Sequence, residues 1–77
     1  MLRATKGFTI VKKVQENGLL KEVESDRLIM GEVVDSELYN QGTVIYFIPH
    51  SQLPINTLKG MFYAIPDADI VAVLIEG

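Results

Sequence analysis

The segment IPDADIVAVLIEG, residues 65–77, contains six consecutive apolar residues, from Ile70 to Ile75. Successive side chains of a β-strand point to opposite faces of the sheet, so both faces of this segment would be apolar. The core of a small barrel covers only one face of each strand. We therefore expect a strand at 70–75 whose open edge and second face are covered by a partner strand, in this chain or in a neighbouring copy.

The size and composition of the chain also favour assembly. Its 77 residues make a single domain, 1–77, and a domain of that size buries only about 60 to 65% of the surface of its unfolded chain. The sequence contains no cysteine and one histidine, which excludes disulfides and the usual structural zinc sites. Oligomerisation is the remaining way to support so small a core.

Charge and hydropathy argue against two classes of partner. Seven Lys and Arg against ten Asp and Glu give a net charge of -3, which disfavours nucleic acid, since phosphate contacts need a positive surface. No apolar run approaches the roughly 20 residues of a membrane span, and residues 1–7 lack the apolar core of a signal peptide. We expect a soluble cytoplasmic protein without a membrane partner.

Runs rich in β-branched and aromatic residues are separated by turn signals about every 8 to 12 residues, which predicts an all-β fold, a small barrel of five to six short strands. The predicted strands are 8–14, 28–34, 43–48, a short extended piece around Ile55, 61–65 and 70–75. The most apolar internal run, 43–48, ends at Pro49 and is the expected core strand. Gly31 predicts a bulge or the close approach of another backbone.

Residues 15–27 are mostly polar and contain the turn signal Asn17-Gly18. We predict a loop in which Leu19 and Leu20 form an isolated apolar pair. A helix from Gly18 to about Leu28, capped by Asn17, is the alternative, because Leu19, Leu20 and Val23 would share one face. A segment this short does not decide between loop and helix by periodicity.

The residues that could carry chemistry are few. His50 has no second imidazole or thiol with which to hold a metal. Asp67 and Asp69 are spaced like cation ligands, but one pair supplies too few oxygens for calcium or magnesium, and Pro66 to Asp69 reads as a turn. There is no Ser-His-acid set, phosphate-binding glycine loop or zinc spacing, so we expect no enzyme, no metal and no cofactor.

Five parts of the chain, taken in order, resemble segments of the GroES co-chaperonins. They are Phe8 to Lys13 for the first strand, Gly18-Leu19-Leu20 for the mobile loop that docks on the chaperonin, Gly31 to Val34 for the next strand, Gly42 to Phe47 for the core strand, and Phe62 to Ile65 with Asp69 to Glu76 for the closing pair. The closing pair is the most specific of these.

The chain departs from the family in three places. The gap from Val34 to Gly42 is too short for the hairpin that roofs the family's dome, Thr43 stands where the family commonly has Asp, and the approach to the loop, 14–17, is shorter than usual. The resemblance therefore implies a GroES-like barrel with a mobile loop and a reduced or absent roof. A phage or a divergent bacterium could encode such a copy.

The resemblance implies a co-chaperonin that caps a GroEL-like chaperonin ring and helps to enclose unfolded client proteins while the chaperonin hydrolyses ATP. It implies a homoheptamer in which the first strand of one subunit pairs with the last strand of its neighbour. The implied chaperonin contacts are Gly18, Leu19 and Leu20. The implied subunit interface consists of Phe8, Ile10, Val11, Ile70, Val71, Val73, Leu74 and Ile75.

Two other functions fit parts of the sequence. A small β-barrel structural or adaptor subunit could assemble through its terminal strands without binding a chaperonin, and Leu19 and Leu20 would then hold the loop against the barrel. A single-strand nucleic-acid binder would need a basic groove with stacking aromatic residues, and the acidic charge balance opposes it. Migration with a chaperonin ring in the presence of ATP separates the first two.

Overall fold

The computed structural model describes residues 2–14 and 28–75. Its described part is all-β, as expected, with six antiparallel strands in one sheet in the order β4-β5-β1-β2-β3-β6. The strands are β1 (Phe8–Lys13), β2 (Ile29–Ser36), β3 (Val44–Phe47), β4 (Leu53–Thr57), β5 (Gly60–Pro66) and β6 (Ile70–Leu74). Short 3₁₀ turns occupy Pro49–Ser51 and Asp67–Asp69. The sheet is not closed, so β4 and β6 are its two outer strands.

One face of the sheet forms the core. Val11, Val33, Ile45, Phe47 and Ile65 are at most 1% exposed and pack into a single cluster. Their alternation along the strands follows the two-residue period of a sheet with one buried face. The prediction that 43–48 is the core strand is confirmed, because β3 supplies both Ile45 and Phe47 and ends before Pro49.

Gly31 lies where two side chains come close to the backbone of β2. A Cβ atom at this position would be 3.0 Å from the Phe47 ring and 3.1 Å from Val11. The predicted close approach is therefore present, but the neighbours are side chains and not another backbone. The bulge lies further along β2, since Ile10 pairs with Asp35 and Val11 with Val33, which leaves Val34 without an opposite residue.

A buried hydroxyl connects β1 to the turn before β6. Thr9 is fully buried and its Oγ1 donates to Oδ1 of Asp67 at 2.7 Å. Because Thr9 has one hydroxyl proton, the 2.8 Å contact with Ser36 is donated by Ser36, whose Oγ in turn accepts the N–H of Leu38 at 3.0 Å. The predicted corner at 66–69 is present as a 3₁₀ turn, and the Asp67 carboxylate holds it against β1.

The position of β1 corrects one expectation. Residues 8–11 of β1 pair with β5 on one side, and residues 9–13 pair with β2 on the other. Among the described residues, the first strand is therefore interior to the sheet, and Thr9 to Val11, which have partners on both sides, offer no open edge to the last strand of a neighbour. β5 returns to β1 from more than fifty positions further along the chain, a contact that local sequence patterns do not reveal.

Candidate interaction surfaces

β6 presents an open apolar edge. It pairs with β3 on one side only, with Ile45 opposite Val73 and Val44 opposite Leu74. Ile70 and Val73 face the core and are half-buried, whereas Val71 and Leu74 are 55% and 44% exposed, and Ile75 just beyond them is 82% exposed. The predicted strand at 70–75 is thus present as Ile70–Leu74, and its partner on one side comes from this chain. Within residues 2–14 and 28–75, its other side has no partner.

The second surface is an apolar cleft on the outer face of the sheet, opposite the core. Residues 2–7, which we call the N-terminal arm, lie along one side of it. Its volume is about 240 Å³, and Arg3, Ala4, Thr5, Phe8, Ile10, Leu53, Ile55 and Ala64 line it. Leu53 is 53% exposed, so β4 contributes an apolar side chain that the chain itself covers incompletely.

Asp35 of β2 holds the N-terminal arm in place. The backbone N–H of Ala4 donates to Oδ2 of Asp35 at 2.6 Å, and Nε of Arg3 lies 3.8 Å from Oδ1. The Arg3 side chain is 81% exposed, so water screens this ion pair and it contributes little. Arg3 therefore remains a cation at the rim of the cleft, able to meet an acidic partner.

The predicted interface residues fall into two groups. Ile10 and Val11 are 3% and 0% exposed, so they contact their own chain and are not available to a neighbour. Phe8 is half-buried at the cleft, and the residues predicted in the last strand lie on or beside the open edge of β6. The cleft residues Arg3, Leu53 and Ile55 were not predicted. Leu53 and Ile55 lie near β1 only because β4 pairs with β5 and β5 pairs with β1, and local sequence patterns do not signal these long-range contacts.

The third region is the junction with residues 15–27. The N–H of Val14, just after β1, donates to the Met30 carbonyl of β2 at 3.1 Å. Residues 15–27 therefore connect two strands that are hydrogen-bonded neighbours. The predicted contacts Gly18, Leu19 and Leu20, and the alternative helix at Gly18 to Leu28, lie outside the described residues except for Leu28 itself.

Two lysines at the end of β1 lie next to this junction, with their side chains on opposite faces of the strand. Lys13 Nζ lies 4.3 Å from the centroid of the Tyr63 ring on β5, at a distance typical of a cation–π contact. Lys12 Nζ lies 3.9 Å from Glu32 on β2, and both side chains are largely exposed. The end of β1 thus contacts both of its neighbouring strands, β5 through Lys13 and β2 through Lys12.

The described residues include no group of three or more His, Cys, Asp or Glu that could hold a metal ion. His50 lies exposed in the 3₁₀ turn after β3. Asp67 accepts a hydrogen bond from Thr9, while Oδ2 of Asp69 and Oε1 of Gln52 are buried and have no hydrogen-bond partner among the described residues. In the same part of the chain, no helix has the length and apolar character needed to cross a lipid bilayer.

No known family model matches the chain, and no curated protein matches it significantly. The function is therefore inferred from three features: an apolar edge, an apolar cleft, and the connection of two adjacent strands by the thirteen residues 15–27.

Proposed function

We propose that this chain is a subunit of a GroES-like co-chaperonin, which acts in the cytoplasm and caps a GroEL-like chaperonin ring. The observation that carries the proposal is the location of residues 15–27, which connect the hydrogen-bonded neighbours β1 and β2. The segment bearing Gly18-Leu19-Leu20 is thus attached to the body of the fold at both ends. In the GroES family, the docking loop likewise connects the first two strands.

The energetics of one such contact favour a weak, multivalent interaction. Burying Leu19 and Leu20 in an apolar groove is worth roughly 3 to 6 kcal/mol together. Ordering each flexible residue costs about 1 to 2 kcal/mol, so one segment alone binds barely or not at all. Joining several segments on one ring raises the avidity by about 10² to 10⁴ fold, while each contact stays weak enough to release.

Assembly supplies that multivalency. We propose that β6 of one subunit docks at the cleft and N-terminal arm of its neighbour, in a homoheptamer. The edge and the cleft lie toward opposite ends of the strand order, because the cleft is formed by β1, β5 and β4, whereas β6 follows β3. A head-to-tail contact between two different surfaces closes into a ring when its rotation permits.

The experiment that tests the proposal is native migration of the chain with a GroEL-like ring, with and without ATP. Leu19→Asp and Leu20→Asp are each expected to abolish migration with the ring, because a carboxylate in an apolar groove loses its hydration without gaining a partner. Both variants should keep the sedimentation coefficient of the unsubstituted chain. Leu38→Asp, at a leucine that is 60% exposed in the link after β2, is the matched control and should still bind.

The result also decides the second candidate, a structural or adaptor subunit that assembles through its sheet edges. The open edge of β6 favours that function equally, since both functions require oligomers. Assembly without ATP-dependent binding to the chaperonin would support the adaptor and contradict the co-chaperonin. Loss of folding in the Leu19 or Leu20 variants would place these leucines in the core and contradict their role as contacts.

A further inference from the structure

The turn between β4 and β5 carries the most exposed large apolar side chain among the described residues, Leu58, with a relative exposure of 106%. Thr57 stabilises the turn with two hydrogen bonds. Its Oγ1 donates to the Gly60 carbonyl at 2.9 Å and accepts the N–H of Lys59 at 3.0 Å. Gly60 has φ +121°, a conformation that glycine adopts without strain. None of these interactions uses the side chain of Leu58, so the turn does not require an apolar residue there.

A single exposed leucine is common on protein surfaces, and the location of Leu58 is what makes it informative. β1 and β5 are antiparallel, with Val11 opposite Tyr63, so the β4–β5 turn lies in the direction in which β1 leads into residues 15–27. The contact of Lys13 with the Tyr63 ring joins the two strands at that end. The Leu58 turn and Val14, the last described residue before 15–27, therefore lie at the same end of this half of the sheet.

We infer that the Leu58 turn is a second contact with the chaperonin ring, beside the one made by Leu19 and Leu20. This inference rests on the proposed function. The occupant we infer is the surface of the ring beside the groove that takes the two leucines. The turn is held by its own hydrogen bonds, so burying Leu58 costs little conformational entropy. Each subunit thus presents a fixed contact as well as the segment 15–27.

A fluorescent label tests the contact directly. The chain has no cysteine, so Leu58→Cys and Leu38→Cys each accept one environment-sensitive fluorophore at a defined position. Leu38 is the control because it follows Ser36, which pairs with Thr9 near the opposite end of β1. With a GroEL-like ring and ATP, emission from position 58 should shift to the blue and emission from position 38 should not. An unchanged spectrum at 58 in a complex that has formed overturns the inference.

Substitution gives the second test. Leu58→Asp is expected to weaken ATP-dependent binding about tenfold, or about 1.4 kcal/mol, without changing the sedimentation coefficient, whereas Leu58→Met and Leu38→Asp should bind like the unsubstituted chain. Equal binding by Leu58→Asp overturns the inference, and so does an altered sedimentation coefficient, which would place Leu58 between subunits. If the unsubstituted chain fails to bind the ring, both the proposed function and the Leu58 contact are contradicted. If only the Leu58 effect is missing, the proposed function stands.

Discussion

The two outer strands of the sheet, β4 and β6, differ in the residues that could protect their open edges against pairing with another chain. β4 contains Pro54, and a proline within a paired strand has its nitrogen on the open side, where no donor is then available to another chain. β4 also carries the polar residues Asn56 and Thr57. β6 has neither proline nor charge, and all five of its residues are apolar. Proteins commonly protect open edges against unwanted pairing, and the lack of such protection in the sequence of β6 supports the proposal that this edge is used for assembly.

The edge of β6 is not uniform along its length. Tyr46 pairs with Ala72 and Phe47 with Ile70, which leaves Val71 as a bulge at the start of the strand. A bulge bends the strand and interrupts regular pairing, so the regular part of the edge begins at Ala72. Leu74 lies in that part and is 44% exposed, which makes it the residue best suited to test the difference between the two edges.

The largest effect is expected at Leu74. Leu74→Lys replaces an apolar side chain of the proposed interface with a charge, and the cost of burying that charge adds to the lost apolar burial. We expect the association between subunits to weaken by about 100-fold or more, measured by sedimentation over a concentration series. Leu38→Lys, at an exposed leucine away from both edges, should assemble normally. Normal assembly of Leu74→Lys would show that β6 is not the interface.

A smaller effect in the opposite direction is expected at β4. Pro54→Thr gives the open side of β4 an N–H donor and a residue type that favours strands, so the protection of this edge is reduced. We expect additional, weak association, seen as a rise in average mass at high protein concentration. Ring formation through β6 should be unaffected. If Pro54→Thr leaves the mass unchanged at all concentrations, proline is not what distinguishes β4 from β6.

Sequence patterns predicted those parts of the fold that depend on local apolar runs and turn residues. The core strand at 43–48 and the last strand at 70–75 are dense apolar runs, and the corner at Pro66 to Asp69 follows from turn chemistry. β4 was recognised only as a short extended piece around Ile55, because Pro54 interrupts the strand pattern. An edge strand tolerates that proline, since its missing donor would have faced solvent.

The parts that could not be predicted depend on contacts between distant residues. The hydrogen bond from Thr9 to Asp67 and the pairing of β1 with β5 bring together residues more than fifty positions apart. For the same reason, the sequence predicted that the run from Phe8 to Val11 pairs with a neighbouring subunit, although β5 and β2 of the same chain lie on its two sides. The cleft beside the N-terminal arm exists only because β5 lies between β1 and β4.

We propose that the apolar edge of β6 joins copies of this chain into a ring. Sedimentation of the unsubstituted chain at micromolar concentration measures this assembly. We expect a particle of about 60 kDa, seven copies of the 8.6 kDa chain, with no substantial monomer. A well-folded monomer of 8.6 kDa under these conditions would contradict it.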